Sequence, residues 1–277
     1  MSESYLSAGA RLSYVQVGTG MPVVFLHPTP LDHDYWRPLV AELDRVCAIV
    51  PDFRGHGASE LGSLPAGGFA RVPDAPVLTV SQLAGDVLAL LDELGISRAV
   101  FTGCSIGGYV MLELWRRAPK RIRGMAFVCS KPQPDAEPNL QKRVENITRV
   151  RGDGANGFFD TMAQTLLGAT ARKRQRAIIA EVRGRMTLTA DAVVAVQAGL
   201  AARPDSVPTV RTIDVPVLAI AGGEDGAVTT AEMAAFREAH GSCEFHIIPD
   251  AGHFAAYEQP QIVAGMLGPW LQQFKAL

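Results

Sequence analysis

The chain has 277 residues, of which 48% are hydrophobic and 19% charged, a composition typical of globular proteins and unlike that of disordered or fibrous ones. Its 26 basic and 28 acidic side chains give a net charge of −2, which provides no electrostatic basis for binding nucleic acid or an anionic membrane. We see neither an apolar stretch long enough to cross a bilayer nor a secretory signal, so we expect a cytoplasmic protein with reduced cysteines.

Short apolar runs alternate with amphipathic stretches along most of the chain. Continuous apolar runs are typical of strands buried on both faces, and they predict strands at 23–26, 46–50, 99–102, 124–129 and 215–221. Residues 243–248 alternate more and are also predicted to form a strand. The amphipathic stretches predict helices at 35–43, 80–94, 106–117, 231–239 and 262–274. Because strands and helices alternate, we predict a mostly parallel sheet with helices on both faces.

Residues 131–211 break this alternation, because the segment contains no convincing strand and has prolines at both ends. Helical patterns occupy 140–150, 157–167, 171–183 and 190–201. We therefore predict an α/β core formed by 1–130 and 212–277 and an all-helical insertion at 131–211. The insertion carries more basic than acidic side chains; we attribute this to solvated helix faces, with a preference for anionic substrates as the alternative. Residues 60–76, rich in glycine, proline and alanine, predict a surface loop near the site entrance.

The segment Gly103-Cys104-Ser105-Ile106-Gly107 lies between a predicted strand and a predicted helix. This is the G-x-S-x-G pattern in the strand–turn–helix context that exposes a serine hydroxyl on a strained turn. The start of the following helix directs unpaired N–H groups toward developing negative charge. A purely structural turn is the alternative, and we favour a nucleophilic serine.

A serine nucleophile needs a base, and the base needs an acid that fixes its tautomer. Asp225 follows the predicted strand 215–221, and His253 follows the predicted strand 243–248. Since the carboxyl ends of parallel strands meet at one edge, we expect both side chains near Ser105. Glu224 is the competing acid beside Asp225, whereas Asp250 is interpreted as a turn residue.

These motifs, in this order, resemble the α/β-hydrolase fold family over essentially the whole chain. Further matching segments are His27-Pro28-Thr29-Pro30, Asp52-Phe53-Arg54-Gly55-His56-Gly57-Ala58-Ser59, Asp250-Ala251-Gly252-His253 and Glu258-Gln259-Pro260. The resemblance implies a mostly parallel eight-stranded sheet flanked by helices, with an inserted all-helical cap.

The resemblance also implies roles for individual residues. Ser105 would be the nucleophile, His253 the general base and acid, and Asp225 its orienting partner. The oxyanion hole would use the backbone N–H groups of Ile106 and Thr29. Pro28 stands where the family usually has glycine, and since proline has no N–H, the geometry of this loop stays open.

Other reactive side chains are interpreted as structural. In the family motifs, His27 and His56 bond loop backbone, and Cys104 packs away from the tip of the turn. We place His33, His240 and His246 on the surface or in strands. No spacing suits three metal ligands or a phosphate-binding loop, so we predict neither a metal nor a cofactor.

Serine members of this family with a helical cap include enol-lactonases, carboxylesterases and cofactor-free haloperoxidase-like proteins, which this sequence resembles most. We therefore predict a serine hydrolase that cleaves a small, fairly apolar carboxylic ester or lactone through an acyl-enzyme. The alternatives are hydrolysis of a carbon–carbon bond in a ring-cleavage product, perhydrolysis, acyl transfer, and a low-turnover ligand-binding homologue. The predicted pocket residues are Phe158, Phe159, Met162, Leu166 and Met186. The sequence leaves a homo-oligomer open.

Overall fold

Eight strands form one sheet in the computed structural model, which describes residues 2–64 and 68–274. The strands are β1 (Glu3–Ser7), β2 (Ala10–Val17), β3 (Met21–Leu26), β4 (Val46–Pro51), β5 (Ala99–Cys104), β6 (Ile122–Val128), β7 (Val217–Gly222) and β8 (Glu244–Ile248). Their order is β1-β2-β4-β3-β5-β6-β7-β8, and β2 pairs antiparallel with β1 and β4 while all other pairs are parallel. The predicted fold class, a mostly parallel eight-stranded sheet, is thereby confirmed. Residues 1 and 275–277 of the predicted core and 65–67 of the predicted loop lie outside the described residues.

The central strands are buried on both faces, and every residue of β5 and β7 is buried. Their apolar runs follow from this, since each face of such a strand packs against helices. The β1–β2 hairpin was not predicted, because it faces solvent on one side and its pattern is correspondingly mixed. Leu6, for example, is 74% exposed.

Twelve α-helices are assigned among the described residues. Six flank the sheet: α1 (Arg37–Val40), α2 (Val80–Glu93), α3 (Ile106–Arg117), α10 (Thr230–His240), α11 (Ala255–Glu258) and α12 (Pro260–Gln272). The predicted helix 35–43 is instead a short 3₁₀ helix, His33–Trp36, that continues into α1. Helix α2 begins and ends as predicted, because the Thr79 hydroxyl accepts the Gln82 N–H at 3.1 Å and Gly95 adopts a φ of +63°.

The segment 131–211 contains the other six helices and no strand within its described residues. They are α4 (Glu137–Asp153), α5 (Asn156–Thr165), α6 (Ala169–Arg174), α7 (Ile178–Gly184), α8 (Ala190–Ala201) and α9 (Val207–Val210). The predicted helix 171–183 is divided near Gln175 into α6 and α7. Helix α8 is almost wholly buried, and its Ala195 carbonyl accepts the Leu78 N–H at 3.0 Å, which fastens the segment to the loop before α2.

Within the described ranges, every helix is too short or too polar to cross a bilayer.

Candidate active site

The turn between β5 and α3 presents Ser105 on a strained backbone, with a φ of +53° and a ψ of −116°. Such a φ is uncommon outside glycine, and neighbouring groups hold it here. The Ser105 N–H donates to the Val128 carbonyl at 3.2 Å, and the Ser130 hydroxyl donates to the Ser105 carbonyl at 2.9 Å. A Cβ on Gly103 would lie 2.6 Å from the Gly107 carbonyl carbon, so the close approach excludes side chains there. The serine is partly exposed at the start of α3, in the geometry that the motif predicts.

Asp225 and His253 meet beyond the carboxyl ends of β7 and β8. The His253 Nδ1 donates to Asp225 Oδ2 at 2.8 Å, and both side chains are buried. The other carboxylate oxygen accepts the backbone N–H groups of Ala227 and Val228 at 2.7 and 2.9 Å. Because a carboxylate only accepts, the proton of the neutral imidazole lies on Nδ1, and Nε2 is free to take a proton from another group.

The loop that carries His253 is held by a second carboxylate, Glu258. Its oxygens accept the N–H groups of Gly252 at 3.0 Å, Phe254 at 3.2 Å and Gly168 at 3.0 Å. Burial raises the pKa of Glu258 against the opposing effect of these bonds. Since Gly168 belongs to the helical segment, this one side chain links that segment to the histidine loop.

Ser105 and His253 line one cavity of about 340 Å³. Among the described residues, no hydrogen bond joins the Ser105 hydroxyl to the imidazole. Bonds of this kind often tighten only when a substrate is bound. The structure therefore brings the predicted hydroxyl, imidazole and carboxylate to one edge of the sheet. Of the two expected contacts, it shows the one between imidazole and carboxylate.

Two backbone amides beside the serine are available to bind an oxyanion. Within the described part of the chain, no acceptor takes the N–H of Ile106, the first residue of α3, or that of Thr29. Thr29 lines the same cavity. Pro28 contributes its carbonyl instead of an N–H, accepting the Leu31 N–H at 3.1 Å. The loop that lacks the usual glycine is thus closed by its own backbone.

His27 and His56 are fully buried and bond loop backbone, as predicted. His27 Nε2 accepts the Phe53 N–H at 3.0 Å, and His56 Nδ1 lies 2.8 Å from the Arg54 carbonyl. Burial lowers the pKa of His27 to about 3 and that of His56 to about 4, so both rings are neutral near pH 7. A neutral His56 with its proton on Nδ1 accepts the Thr29 hydroxyl on Nε2, at 3.0 Å. The Thr29 hydroxyl therefore donates away from the serine.

The competing side chains have other partners. Glu224 accepts the Thr170 N–H and hydroxyl at 2.8 and 2.6 Å, and Asp250 is exposed beside Arg174. The Cys104 thiol is buried and accepts the Tyr35 hydroxyl at 3.2 Å, and burial raises its pKa. These contacts agree with the choice of Asp225 over Glu224 and with a packed Cys104.

His33 is a residue that sequence reasoning placed wrongly. Instead of lying on the surface, it is half-buried, and its Nδ1 is 2.9 Å from Asp52 Oδ1. This hydrogen bond raises the pKa of His33. The pKa of Asp52 is lowered overall, because burial, which raises it, is outweighed by the hydrogen bonds from the side chain and backbone of His33. The pair supports the turn that follows β4.

Three of the five predicted pocket residues, Phe158, Met162 and Leu166, line the cavity. The other two do not: Met186 is buried elsewhere, and Phe159 packs edge-on against Phe158 with the Arg183 guanidinium 5.3 Å from its ring centre. Residues at helical spacing share a face only approximately, and these two lie in the interior of the helical segment.

The cavity also has a polar wall that sequence reasoning missed. Its members are Lys131, Asp135, Asn139, Lys142, Arg143, Asn146 and Gln197. Four of them, at positions 139, 142, 143 and 146, follow the i, i+3, i+4, i+7 spacing of one helix face on α4. That spacing was the sequence signal from which the polar wall could have been predicted. The expectation of a fairly apolar substrate does not fit this wall. No group of three or more potential metal ligands occurs among residues 2–64 and 68–274.

Comparison with known proteins gives consistent relatives. The sequence model of a family described as the alpha/beta hydrolase family matches residues 23–266. The 3-oxoadipate enol-lactonase 1 of Acinetobacter baylyi is 28% identical over 243 residues, covering 86% of this chain and 84% of that protein. A thermophilic esterase from Thermogutta terrifontis, described with malate bound, is 28% identical with a TM-score of 0.87, over 99% of this chain and 98% of that one. An enol-lactonase from Burkholderia xenovorans is 25% identical with a TM-score of 0.86, over 98% and 100%.

Proposed function

Because the chain belongs to the alpha/beta hydrolase family, we propose that it hydrolyses small-molecule carboxylic esters or lactones through an acyl-enzyme on Ser105. The observation that carries the proposal is the 2.8 Å bond between His253 and Asp225 at the edge of the cavity that Ser105 also lines. The substrate class is supported by the relatives named as enol-lactonases and esterases.

In the first half of the reaction, His253 Nε2 accepts the proton of Ser105 as its oxygen attacks the carbonyl carbon. The carbonyl oxygen becomes negative and is bound by the N–H groups of Thr29 and Ile106. Asp225 stabilises the imidazolium and keeps the ring oriented. His253 then donates its proton to the leaving oxygen, the carbon–oxygen bond breaks, and the acyl group stays on Ser105. From a lactone, the released alcohol remains attached to the acyl chain.

In the second half, His253 removes a proton from a water molecule that attacks the acyl carbon. The same two amides bind the oxyanion again. The bond to Ser105 breaks, the serine recovers its proton from His253, and the carboxylic acid leaves.

We further propose that residues 131–211 form a cap over a core of residues 1–130 and 212–277. Phe158, Met162 and Leu166 of this segment line the cavity, and the Leu166 carbonyl accepts the His253 N–H at 2.8 Å. A wall of the substrate pocket and the backbone of the proposed base are thus joined directly.

The test is turnover of short p-nitrophenyl esters combined with a fluorophosphonate probe. Ser105→Ala should lower kcat by about 10³-fold or more, because no other side chain at this edge replaces the nucleophile. Mass spectrometry of the labelled wild type should place the probe on Ser105, and Cys104→Ala should still be labelled there. Undiminished turnover by Ser105→Ala, or a label on Cys104, would refute the mechanism.

A further inference from the structure

The polar wall of the cavity is built around the packing of α4 on α8. Arg143 and Asn146 on α4 both donate to the Gln197 Oε1 on α8, at 3.1 and 3.3 Å. Gln197 is 3% exposed, yet it lines the cavity together with these two residues. A buried polar cluster destabilises the folded state unless its donors and acceptors form hydrogen bonds. Its presence at the wall of a substrate pocket therefore indicates a ligand.

The charges at this wall do not cancel. The buried Asp135 carboxylate accepts Arg143 Nε at 3.1 Å and Arg203 Nη2 at 2.8 Å, so one negative charge faces two positive ones. Lys131, by contrast, is neutralised by Glu232 at 2.5 Å. The excess among these buried groups is therefore one positive charge, held by groups that packing fixes in place, and the exposed Lys142 at the cavity adds a second.

The unused hydrogen-bond donors lie at the same place. Arg143 uses Nε for Asp135 and Nη1 for Gln197, while its Nη2 has no acceptor in the described part of the chain. Gln197 has its oxygen turned to two donors, which identifies the other terminal atom as its NH₂ group. That group has no acceptor within residues 2–64 and 68–274 either. The wall thus offers the Nη2 group of Arg143 and the NH₂ group of Gln197, and no acceptor among those residues receives either.

Such a pair matches a carboxylate. A planar guanidinium binds a carboxylate through two parallel hydrogen bonds, and charge-assisted bonds of this kind are about twice as strong as neutral ones. An uncharged aliphatic chain in the same place would leave both donors desolvated without an acceptor, which is unfavourable.

We infer that the ester or lactone hydrolysed by this protein carries a carboxylate that Arg143 and Gln197 bind while its reacting carbonyl lies at Ser105. This rests on the proposed function and adds the chemical class of the substrate. Lys142, which is exposed and also lines the cavity, extends the positive surface toward solvent and attracts such an anion to the entrance.

The first experiment compares two esters of equal size, mono-p-nitrophenyl adipate and its primary amide, in which the terminal carboxylate is replaced by an uncharged group. Wild-type protein should show a kcat/KM at least about 10-fold higher for the acid. Arg143→Met should bring that ratio close to one, and Gln197→Leu, which removes the amide but leaves the guanidinium, should lower it several-fold. Arg149→Met, an exposed substitution on the same helix away from the cavity, should leave the ratio unchanged.

The second experiment separates this inference from the proposed function. Calorimetry with Ser105→Ala protein measures binding of adipate and of adipamide without turnover. Adipate should bind at least about 10-fold more tightly than adipamide, and adding Gln197→Leu should lower the difference several-fold. Because Gln197→Leu keeps both ion pairs of Asp135, this arm remains informative if Arg143→Met does not fold.

Equal kcat/KM values for acid and amide in an active wild type would overturn the inference and leave the proposed function standing. A preference that persists in both Arg143→Met and Gln197→Leu would also overturn the assignment of these residues. An inactive wild type that nevertheless binds adipate through Gln197 would instead contradict the proposed function and support the anion site.

Discussion

The sheet edge and the helical wall face each other across one cavity, yet they are built from different kinds of bonds. At the edge, Ser105, Asp225 and His253 are each tied to backbone groups of their own or neighbouring loops. At the wall, Arg143 and Gln197 are held by each other and by the side chains of Asp135 and Asn146. Backbone groups move little when a side chain is exchanged, whereas a network of side chains changes with each of its members. The edge is therefore suited to a fixed reaction, and the wall to the choice of substrate.

The largest effect expected from this comparison concerns the two neighbouring carboxylates that follow β7. Asp225→Asn keeps the size of the side chain and an oxygen for the Ala227 and Val228 amides, but it removes the charge beside the imidazole. We expect kcat for an activated ester to fall about 10³–10⁴-fold, because the amide favours the wrong imidazole tautomer and does not stabilise an imidazolium. Steady-state kinetics at pH 7 measure this directly.

Glu224→Gln is the matched control for that substitution. Among the described residues, its side chain accepts hydrogen bonds from Thr170 alone, in the helical segment, so kcat should stay within about threefold of wild type. A several-hundred-fold loss of kcat in Glu224→Gln, with little loss in Asp225→Asn, would show that Glu224 and not Asp225 is the acid that orients His253.

Much of the edge could be predicted from the sequence, for a physical reason. The serine turn, the acid after β7 and the histidine after β8 are each short segments whose geometry depends on adjacent residues, such as the glycines at 103 and 107. The burial of the central strands likewise appears as local apolar runs. The β1–β2 hairpin and the break near Gln175 were missed, because a half-exposed strand and an interrupted helix give weak periodicity.

A second test of the edge uses the pH dependence of stability, through His56. Its pKa is about 4 in the folded protein and near 6.5 in the unfolded chain, so between these values only the unfolded chain binds the proton. Stability must then fall as the pH falls. When the pH is lowered from 7 to 5, the unfolding free energy of wild type should decrease by about 2 kcal/mol more than that of His56→Gln, as measured by urea denaturation.

The comparison between variants is needed because other groups around His56 titrate as well. His27, whose pKa is also lowered, reduces stability in the same way as the pH falls. His33 has the opposite effect, because Asp52 raises its pKa and the protonated ring stabilises the folded protein at lower pH. The pKa of Asp52 is lowered, so its contribution is lost only below its unfolded value, near pH 4. Parallel curves for wild type and His56→Gln would show that folding does not lower the pKa of His56.

The wall was harder to predict, because its composition is decided by contacts between distant helices. Gln197 lies 54 residues from Arg143 and 51 from Asn146 in the sequence, and no local pattern predicts that these side chains are in contact. Apolar residues of α5 were assigned to the pocket by type alone, and type does not distinguish the cavity side of a helix from its packed side. The polar stripe on α4 was visible in the sequence, but a solvated helix face has the same spacing.

The smallest effect, on substrate affinity, sharpens the description of the wall through two adjacent phenylalanines. Phe158 and Phe159 are both 3% exposed, but only Phe158 lines the cavity. Phe158→Leu should change KM by about 3- to 10-fold, since it alters the shape of the pocket by a few carbon atoms. Phe159→Leu should leave KM within about twofold and instead lower the unfolding free energy by about 1–2 kcal/mol through poorer packing. Initial rates over a range of ester concentrations, together with urea denaturation of both variants, separate the two effects. Equal changes in KM in the two variants would mean that Phe159 affects the pocket as much as Phe158 does. The distinction between residues that line the cavity and residues packed behind them would then be wrong.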